Sequence, residues 1–328
     1  MDKKRAVQLW GFIKNIRSDN MTLQQIIYAL TISETGSMNK AALKLFVSQP
    51  SLTNAIKDLE KEIGTTIFLR NAKGVIPTKD GEEFLLYARQ LYQQYDLIEQ
   101  RYILNENAKK KFGVSTQHYS FAVKAFVETI KHFDTLNYEF AVRETKTFNV
   151  IEDVANFKSE IGILYLNDFN RKVLQKILKE NDCEFYSLVK CSAYVYIWKN
   201  HPLAKQKSIT FDELKDYPCL SFEQGENGSF YFAEEILSTN DYQRTIKATD
   251  RATMLNLMVG LNGYTLCSGI ICEELNGSDY IAVPFEADED NPNSSMEIGY
   301  ITKKNAVLSD IGRVYIDEIT SYLSKTAN

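Results

Sequence analysis

The chain has 328 residues, which is too many for one small hydrophobic core and predicts two or three domains. Its composition, 44% apolar and 25% charged, is that of an ordinary globular protein and not of a disordered or fibrous one. No run of about eighteen apolar residues occurs, so we expect no transmembrane helix.

The formal net charge of −5 excludes a surface that is basic all over, as in proteins that coat nucleic acid. The charge is nevertheless distributed unevenly along the chain. Residues 1–80 hold twelve Lys/Arg against seven Asp/Glu, a net of +5 that leaves −10 for the remainder. A basic head on an acidic body favours local contact with phosphates by the N-terminal part.

The first twenty residues do not share the pattern that follows. A short apolar group comes after three basic residues, but polar residues interrupt it and no small-residue cleavage site follows. A secretory signal is therefore not expected. Residues 1–20 are interpreted as an N-terminal extension, a misassigned start or an expression remnant.

Five cysteines lie in the second half of the chain, an odd number with no CxxC pair. Without a secretory signal we expect reduced thiols in a cytoplasmic protein. A redox pair formed by Cys267 and Cys272 is the alternative to buried free thiols.

Three helices are predicted in the first part of the chain. Thr22 and Gln25 have the spacing of a capping box, and Ser37 and Ser48 are N-cap residues for the next two helices. Gly64 is a natural end for the third helix. The apolar residues of that helix follow at spacings of four, three and four: Leu52, Ile56, Leu59 and Ile63.

The third helix carries mostly polar residues away from its apolar stripe. Small and amide-bearing side chains on a helix can enter the major groove and contact base edges and phosphates. We predict DNA contacts by Ser48, Gln49, Pro50, Ser51, Thr53, Asn54 and Lys57. Spacing alone fits an ordinary helical hairpin equally well, because every such hairpin has a polar face.

Two short strand-like runs, TTIFLR and VIPT, predict a β wing after Gly64. Arg70 and Lys73 in this wing are expected to contact the sugar-phosphate backbone. A solvated hairpin tip accounts equally well for Lys73.

A long helix capped by Thr78 is predicted next. Its length exceeds that of an ordinary globular helix, so we favour pairing with a second copy over packing within its own domain. The predicted dimerisation seam follows heptad spacing: Phe84, Ala88, Leu91, Tyr95, Ile98 and Tyr102. A dimer would place two DNA-reading helices on a two-fold axis, which predicts an interrupted palindromic DNA site.

Beyond the basic run that ends at Lys111, short strands alternate with helices, which predicts an α/β domain with a largely parallel sheet. The last runs, YIAVPF and MEIGYITKK, precede a helix predicted from about Leu308 to Leu323. We expect this closing part to return and complete the first α/β unit.

The run AALKLFVSQPSLTNAIKDLEKEIGTTIFLR resembles the winged helix-turn-helix of LysR-type transcriptional regulators, and the resemblance covers Met21 to about Tyr92. The runs SEIGILYL, NHPLAKQKSITFDELKDYP and LMVGLNGYTLCSG resemble the effector-binding region of the same family. The implied fold is an N-terminal winged helix-turn-helix, all-α with a small β wing, then a long linker helix that dimerises. An α/β effector domain of two subdomains, similar to periplasmic binding proteins, follows. Thr53 and Asn54 depart from the commonest Ser-Arg or Ser-Gln pair, which leaves the base preference undefined.

The expected domains follow from this resemblance. Residues 1–20 form the extension, 21–78 the winged helix-turn-helix domain and 79–110 the linker helix. Residues 111–166 and 269–328 form effector subdomain I, and residues 167–268 form effector subdomain II.

Paired α/β units bind ligands in the crevice outside the carboxyl ends of their strands. The resemblance implies that Ser115 and Gln117 contact the effector, although Ser115 also suits a helix cap. The full set of candidate effector residues is Ser115, Thr116, Gln117, His118, Glu144, Tyr165, Asn167, Ser221, Phe222 and Gln224. A carboxylate at Glu144 would meet an ammonium group, so we expect a small zwitterion or carboxylate such as an amino acid. A loose similarity to Gram-positive regulators of sulfur amino acid metabolism points to the same class.

The three histidines have no metal-ligand spacing, and no HExxH motif occurs. The sequence therefore predicts a cytoplasmic, ligand-responsive transcriptional regulator, not an enzyme, with no cofactor and no metal. Its expected partners are double-stranded DNA, a small-molecule effector and further copies of itself in a homodimer or homotetramer, with RNA polymerase as a candidate and no membrane partner. The alternative is a solute-binding or enzymatic α/β protein whose helical hairpin serves only dimerisation. A secreted binder needs a signal peptide, and an enzyme needs a convergent acid, base or nucleophile set.

Overall fold

The computed structural model describes residues 21–71, 74–102, 110–133, 137–225, 229–286 and 294–326. The predicted extension at residues 1–20 and the wing residue Lys73 therefore lie outside the described residues. The chain divides into two compact units between Ile103 and Leu104. Within the described ranges, no helix is both long enough and apolar enough to cross a membrane.

Three helices open the N-terminal unit: α1 (Leu23–Thr35), α2 (Met38–Lys44) and α3 (Gln49–Ile63). Local hydrogen bonds set their starts. The Ser37 hydroxyl accepts from the backbone N–H of Lys40 at 3.4 Å, and the Ser48 hydroxyl accepts from the N–H of Ser51 at 3.1 Å. Thr22 forms the predicted capping box. The predicted helix starts are thus confirmed.

The apolar faces of these helices meet in one core. Leu52, Ile56 and Leu59 of α3 are buried in the same cluster as Ile26 and Ala29 of α1. Burial of this stripe turns the polar side of α3 toward solvent.

A two-stranded wing and a long helix complete the N-terminal unit: β1 (Phe68–Asn71), β2 (Gly74–Pro77) and α4 (Lys79–Tyr102). The wing strands pair antiparallel, as predicted. The Thr78 hydroxyl caps α4 by accepting from the N–H of Gly81 at 2.8 Å. A β-carbon at Gly81 would collide with the carbonyl oxygen of Ile67, so this close approach of helix and chain requires glycine.

The first part of the predicted seam on α4 belongs to the core of its own domain. Ala88 is 3% exposed and Phe84 is half-buried against the same cluster. The assignment of Ala88 to dimerisation is therefore wrong, because the helices of the N-terminal unit already cover it.

The second part of the seam remains open to solvent within the N-terminal unit. Leu91 and Ile98 are 45% and 53% exposed. Tyr95 is half-buried, and its hydroxyl donates to Glu99 at 3.0 Å. The side chain of Tyr102 lies outside the described residues. The part of the predicted seam that the N-terminal unit leaves exposed thus begins at Leu91.

The C-terminal unit alternates strands and helices. In chain order it contains β3 (Lys110–Thr116), α5 (Ser120–His132), β4 (Tyr138–Glu144), α6 (Thr147–Ala155), β5 (Ile161–Leu166), α7 (Arg171–Glu180), β6 (Cys183–Ser192), β7 (Tyr194–Trp198), α8 (Phe211–Leu214), β8 (Cys219–Phe222), β9 (Thr245–Ala248), α9 (Arg251–Leu261), β10 (Thr265–Cys267), α10 (Glu273–Asn276), β11 (Tyr280–Pro284), β12 (Ser295–Lys303) and α11 (Asp310–Thr326).

Subdomain I is built on a five-stranded sheet in the order β4-β3-β5-β12-β6. β3 is parallel to β4 and β5, whereas β12 is antiparallel to β5 and β6. The sheet is therefore mixed. The alternation of strands and helices predicted a largely parallel sheet, and this part of the prediction is wrong. The closing strand β12 does return to the first unit, as expected.

Helices cover both faces of this sheet, which explains the continuous apolar run of β5. Ile161, Ile163 and Tyr165 belong to the core that contains α5 and α11, and Leu164 and Leu166 belong to the core under α6 and α7. A strand buried on both faces carries apolar residues without alternation.

Subdomain II contains a three-stranded antiparallel sheet in the order β10-β7-β11 and a parallel pair formed by β8 and β9. An isolated bridge between Cys219 and Tyr264 brings β8 beside the start of β10. The carboxyl end of β8 lies at the boundary between the subdomains, since Phe222 at that end stacks on His118 of subdomain I.

The sheet topology moves both predicted subdomain boundaries. β6 lies in the first sheet, so the chain crosses at Ala193 and not at residue 167. β11 lies in the second sheet, so the return occurs after Pro284 and not at residue 269. The two crossing segments are adjacent, since the N–H of Phe285 donates to the carbonyl of Ala193 at 3.1 Å. Lys110 likewise begins β3 and does not end the linker helix.

Candidate nucleic-acid interface and effector cavity

The polar side of α3 forms an exposed surface on the N-terminal unit. Gln49 Nε2 donates to Thr53 Oγ1 at 3.2 Å, which orders two of the predicted base-reading side chains. Ser48 and Ser51 share a 2.7 Å hydroxyl contact at the start of the helix. The exposed residues at the N-terminal end of this surface and along it are Ser48, Gln49, Pro50, Ser51, Asn54 and Lys57, with Thr53 half-buried among them.

Arg70 lies exposed in the wing of the same unit, on β1. The helix face supplies hydroxyl and amide groups, and Lys57 and Arg70 supply positive charge. This combination suits contact with base edges and phosphates.

The turn before α3 contains a feature that the sequence reading missed. Phe46 is 96% exposed and has a φ of 55°, in the left-handed region that bulky residues rarely adopt. Leu43, three residues earlier, is also exposed. A turn can be recognised from the sequence, but the sign of φ at one residue in it cannot.

Four predicted effector residues lie in the interior of subdomain I. Ser115 donates to Asp153 Oδ2 at 2.6 Å and lies 2.8 Å from the hydroxyl of Ser159. The Thr116 hydroxyl donates to the carbonyl of Gln117, whose amide oxygen accepts from the backbone N–H of Tyr165 at 3.1 Å. All of these side chains are buried and already bonded.

Ser115 therefore does not cap the following helix either, because α5 begins only at Ser120. Asn167 is also buried and exchanges backbone-to-side-chain hydrogen bonds with Asn170 at 2.8 Å. In the structure, five of the predicted effector residues therefore support the interior of subdomain I and do not face the cavity: Ser115, Thr116, Gln117, Tyr165 and Asn167. The physical reason is that the mouth of the crevice lies beyond the strand end, at residue 118.

A cavity of about 90 Å³ lies between the two subdomains. Subdomain I contributes His118, Tyr119, Ser120 and Met296. Subdomain II contributes Tyr196, Phe222, Glu234, Glu235, Arg251, Met254, Leu255, Thr265, Leu266, Cys267, Ser268, Ile270, Ile271 and Asn276. Of the predicted effector residues, only His118 and Phe222 line it.

His118 and Phe222 meet face to face across the subdomain boundary. Their ring centroids are 3.8 Å apart and the ring planes differ by 7°. Nδ1 of His118 also lies 2.8 Å from Glu234 Oε2. The two subdomains therefore close one wall of the cavity by stacking and by a hydrogen bond.

Gln224 supports the same wall from behind. Its Nε2 donates to Glu234 Oε1 at 2.8 Å, and its Oε1 accepts from the N–H of Thr147 at 3.2 Å. The Thr147 hydroxyl donates to the carbonyl of Phe232 at 2.7 Å. Gln224 thus joins the subdomains without lining the cavity, and Ser221 lies on β8 outside the cavity wall.

Glu144 is not available to a ligand ammonium group. Its carboxylate forms an ion pair with Arg251, whose side chain is largely buried. The predicted role of Glu144 is therefore corrected: it neutralises a cavity-lining arginine of the opposite subdomain.

Glu234 and Glu235 are the charged cavity residues that the sequence reading missed. They are 6% and 7% exposed, and they lie between the apolar pairs Phe232-Ala233 and Ile236-Leu237. Burial, together with the neighbouring carboxylate of Glu234, raises the pKa of Glu235 to about 8. The acidic pair within the apolar run FAEEIL was the one available signal.

The thiol of Cys267 also lines the cavity, but its environment does not activate it as a nucleophile. All five cysteines are free, and burial raises the pKa of Cys267 to about 12 and that of Cys191 to about 11. Both thiols stay protonated at neutral pH, so neither is an activated nucleophile.

Comparisons with known proteins agree with this architecture. A family model described as "Bacterial regulatory helix-turn-helix protein, lysR family" matches residues 23–82, and one described as "LysR substrate binding domain" matches residues 118–324. The uncharacterized HTH-type transcriptional regulator YbhD of Escherichia coli (strain K12) is 26% identical over 284 residues, which cover 85% of this chain and 84% of YbhD.

Two solved structures share the fold. A full-length OxyR variant from Pseudomonas aeruginosa gives a TM-score of 0.63 at 18% identity and covers 93% of this chain and 95% of its own. Full-length CbnR complexed with its target DNA gives a TM-score of 0.53 at 16% identity and covers 92% of this chain and 100% of its own.

Proposed function

The chain belongs to the LysR family of bacterial regulators, and from this premise we propose which of its surfaces read DNA and where its effector binds. It is a ligand-responsive, DNA-binding transcriptional regulator that forms homo-oligomers. A solute-binding or enzymatic protein with a hairpin used only for dimerisation is not favoured, because both family models describe regulator domains. We propose that the protein acts in the cytoplasm, where promoter DNA is found, and that it is not an enzyme.

α3 is the element proposed to enter the major groove. The observation that carries this proposal is its exposed face of hydroxyl and amide groups, which begins at the helix N-terminus and ends at Lys57. CbnR, which shares the fold, was solved with its target DNA, and this supports a DNA-bound arrangement for the present chain as well. Arg70 would contact the backbone beside the helix.

Selection of genomic fragments by the purified protein, followed by footprinting, tests this assignment. We expect two half-sites in opposite orientation, separated by about one helical turn or a multiple of it. Retention that shows no salt dependence, or protection of a single unrepeated site, would contradict the proposal.

The effector is proposed to bind in the cavity between the subdomains. Both subdomains contribute to its wall through His118 and Phe222, so a ligand there would contact both at once. Such a ligand biases the relative arrangement of the subdomains, typically by about 1–3 kcal/mol of coupling. A small zwitterion or carboxylate, such as an amino acid or a precursor in sulfur metabolism, fits the size of the cavity.

A thermal-shift screen of amino acids and sulfur metabolites tests the effector site. The true effector should raise the melting temperature of the wild-type protein, and His118→Ala should reduce this rise while leaving DNA retention intact. An unchanged rise in the variant would place the effector elsewhere.

A further inference from the structure

Glu235 is a buried carboxyl group in the cavity wall. Its Oε1 accepts from the backbone N–H of Phe222 at 2.7 Å. In the part of the chain that the structure describes, no Lys, Arg or His forms an ion pair with it. Removing a carboxylate from water without a counter-charge is unfavourable, so an unpaired buried carboxyl group keeps its proton until a cation comes close to it.

The other charged groups of the cavity are already matched. Arg251 pairs with Glu144, and Glu234 accepts from His118 and Gln224. The cavity therefore presents one acidic group to a ligand and no free basic side chain among its described lining residues.

Apart from His118, the remaining titratable groups that the structure describes around Glu235 supply no positive charge. Cys219, Tyr165 and Tyr242 interact with it electrostatically, and burial raises the pKa of each of these groups above its ordinary value. They are neutral at neutral pH. Glu234 adds negative potential, which His118 offsets in part.

We propose that Glu235 binds a positively charged amino group of the effector, so that the effector is a small primary amine or amino acid. This inference rests on the proposed effector site and names the chemistry that the site selects. A ligand ammonium group would supply the positive charge that no ion-pair partner among the described residues supplies to Glu235.

The rest of the wall suits a short apolar body. Met254, Leu255, Leu266, Ile270 and Ile271 line the cavity, and its volume is far below the roughly 300–1,000 Å³ of pockets for drug-sized ligands. Tyr119 and Ser120 at the start of α5 also line it, where the first N–H groups of a helix lack intrahelical partners and favour an anion. An amino acid would place its ammonium group at Glu235 and its carboxylate at the start of α5, whereas a simple amine would contact only Glu235.

Proton release follows from this chemistry. In the free protein the carboxyl group of Glu235 carries a proton at neutral pH, because its pKa is raised to about 8. Binding of an ammonium cation favours the carboxylate, so one proton leaves Glu235 for the solvent as the ion pair forms. Affinity for the amine should therefore increase as the pH rises from 6 toward 8.

Matched probes test the proposal on the full chain. Leucine carries both charged groups, 3-methylbutylamine only the ammonium and 2-hydroxy-4-methylpentanoate only the carboxylate. Equivalent triads are built on alanine and on methionine. Binding is measured by thermal shift and by calorimetry in two buffers of different ionisation enthalpy, which counts released protons.

We expect an amine-bearing member of at least one triad to bind and its hydroxy acid to bind at least about tenfold more weakly. Glu235→Gln should lower the affinity of the bound amine at least about tenfold and abolish proton release. Glu223→Gln, the same change at an exposed position nearby, should alter neither. Circular dichroism of the variants verifies that they fold.

The outcomes separate this inference from the proposed function. If a hydroxy acid binds as tightly as the amine and Glu235→Gln loses no affinity, the proposed contact of Glu235 with an ammonium group is wrong. The cavity would then remain the proposed effector site. Failure of every triad to bind would reject the ammonium and also remove support for the cavity. DNA retention measured in parallel reports on the regulator itself.

Discussion

Nδ1 of His118 lies 2.8 Å from Oε2 of Glu234 and thereby joins subdomain I to subdomain II at the cavity wall. The backbone N–H of His118 donates to the same oxygen at 2.9 Å, and Gln224 holds the other carboxylate oxygen. Glu234 is thus an acceptor shared by both subdomains. Because its contacts depend on the subdomains being close, it connects the stability of this arrangement to the state of the cavity.

Glu234→Gln should destabilise the effector domain by about 1–3 kcal/mol, since an amide NH₂ would face donors of His118 or Gln224. Urea unfolding followed by tryptophan fluorescence measures the change. Glu223→Gln is the matched control at an exposed site. Equal stability of the two variants would show that the shared acceptor contributes nothing to the closed arrangement.

Glu235 should make the stability of the unliganded protein depend on pH. Its folded pKa is raised from 4.5 to about 8, so the folded state holds a proton that the unfolded state releases earlier. Stability from this group is therefore complete below about pH 4.5 and is lost as the pH rises through about 8. The upper limit of the loss is about 5 kcal/mol, from 1.36 kcal/mol for each unit of pKa.

Urea unfolding at a series of pH values, with the wild type beside Glu235→Gln, measures this dependence. The variant cannot ionise at this position, so its stability should fall less between pH 5 and 9 than that of the wild type. The same dependence of stability on pH in the wild type and in Glu235→Gln would contradict the raised pKa of Glu235.

The N-terminal unit could be predicted closely because its signals are local. The caps at Thr22, Ser37 and Ser48 and the end at Gly64 each depend on a few neighbouring residues. The stripe that begins at Leu52 then determines which side of α3 is buried. The division of the α4 seam was missed because burial of Ala88 depends on helices distant in sequence.

The effector domain was predicted in class but not in detail, since its pairing is non-local. β6 joins the first sheet only through β12, which follows about a hundred residues later. Ser115 ends a strand, as predicted, yet Asp153 and Ser159 already bond its hydroxyl. No periodicity marks Glu235 as facing a cavity, because it lies in an irregular segment between β8 and β9.

Phe46→Gly should stabilise the N-terminal unit by roughly 0.5–1 kcal/mol. The side chain is almost fully exposed, so little packing is lost, and glycine adopts the φ of 55° without steric strain. Phe46→Ala keeps a β-carbon and should give no comparable gain. Thermal unfolding of the three proteins measures the effect, and equal shifts for glycine and alanine would exclude backbone strain as the cause.

Leu91→Asp combined with Ile98→Asp should weaken self-association at least about tenfold. Both side chains are exposed on α4, and burying carboxylates in an apolar interface is costly. Light scattering across a dilution series measures the change. Gln93→Asp adds one such charge about two hundred degrees around the helix from Leu91 and serves as control. Unchanged association of the double variant would place the interface elsewhere.

Lys57→Ala should weaken DNA binding, and the manner of weakening identifies its contact. A base contact predicts a loss of roughly 1–3 kcal/mol with relaxed preference at one base position. A phosphate contact predicts a uniform loss and a salt slope smaller by about one. Lys61→Ala removes the same charge one turn toward the helix C-terminus and controls for general electrostatics. Fluorescence anisotropy against a selected site, measured at several salt concentrations, distinguishes these cases. Equal effects of the two variants would mean that Lys57 contributes only its charge, and no effect of either would remove α3 from the DNA interface.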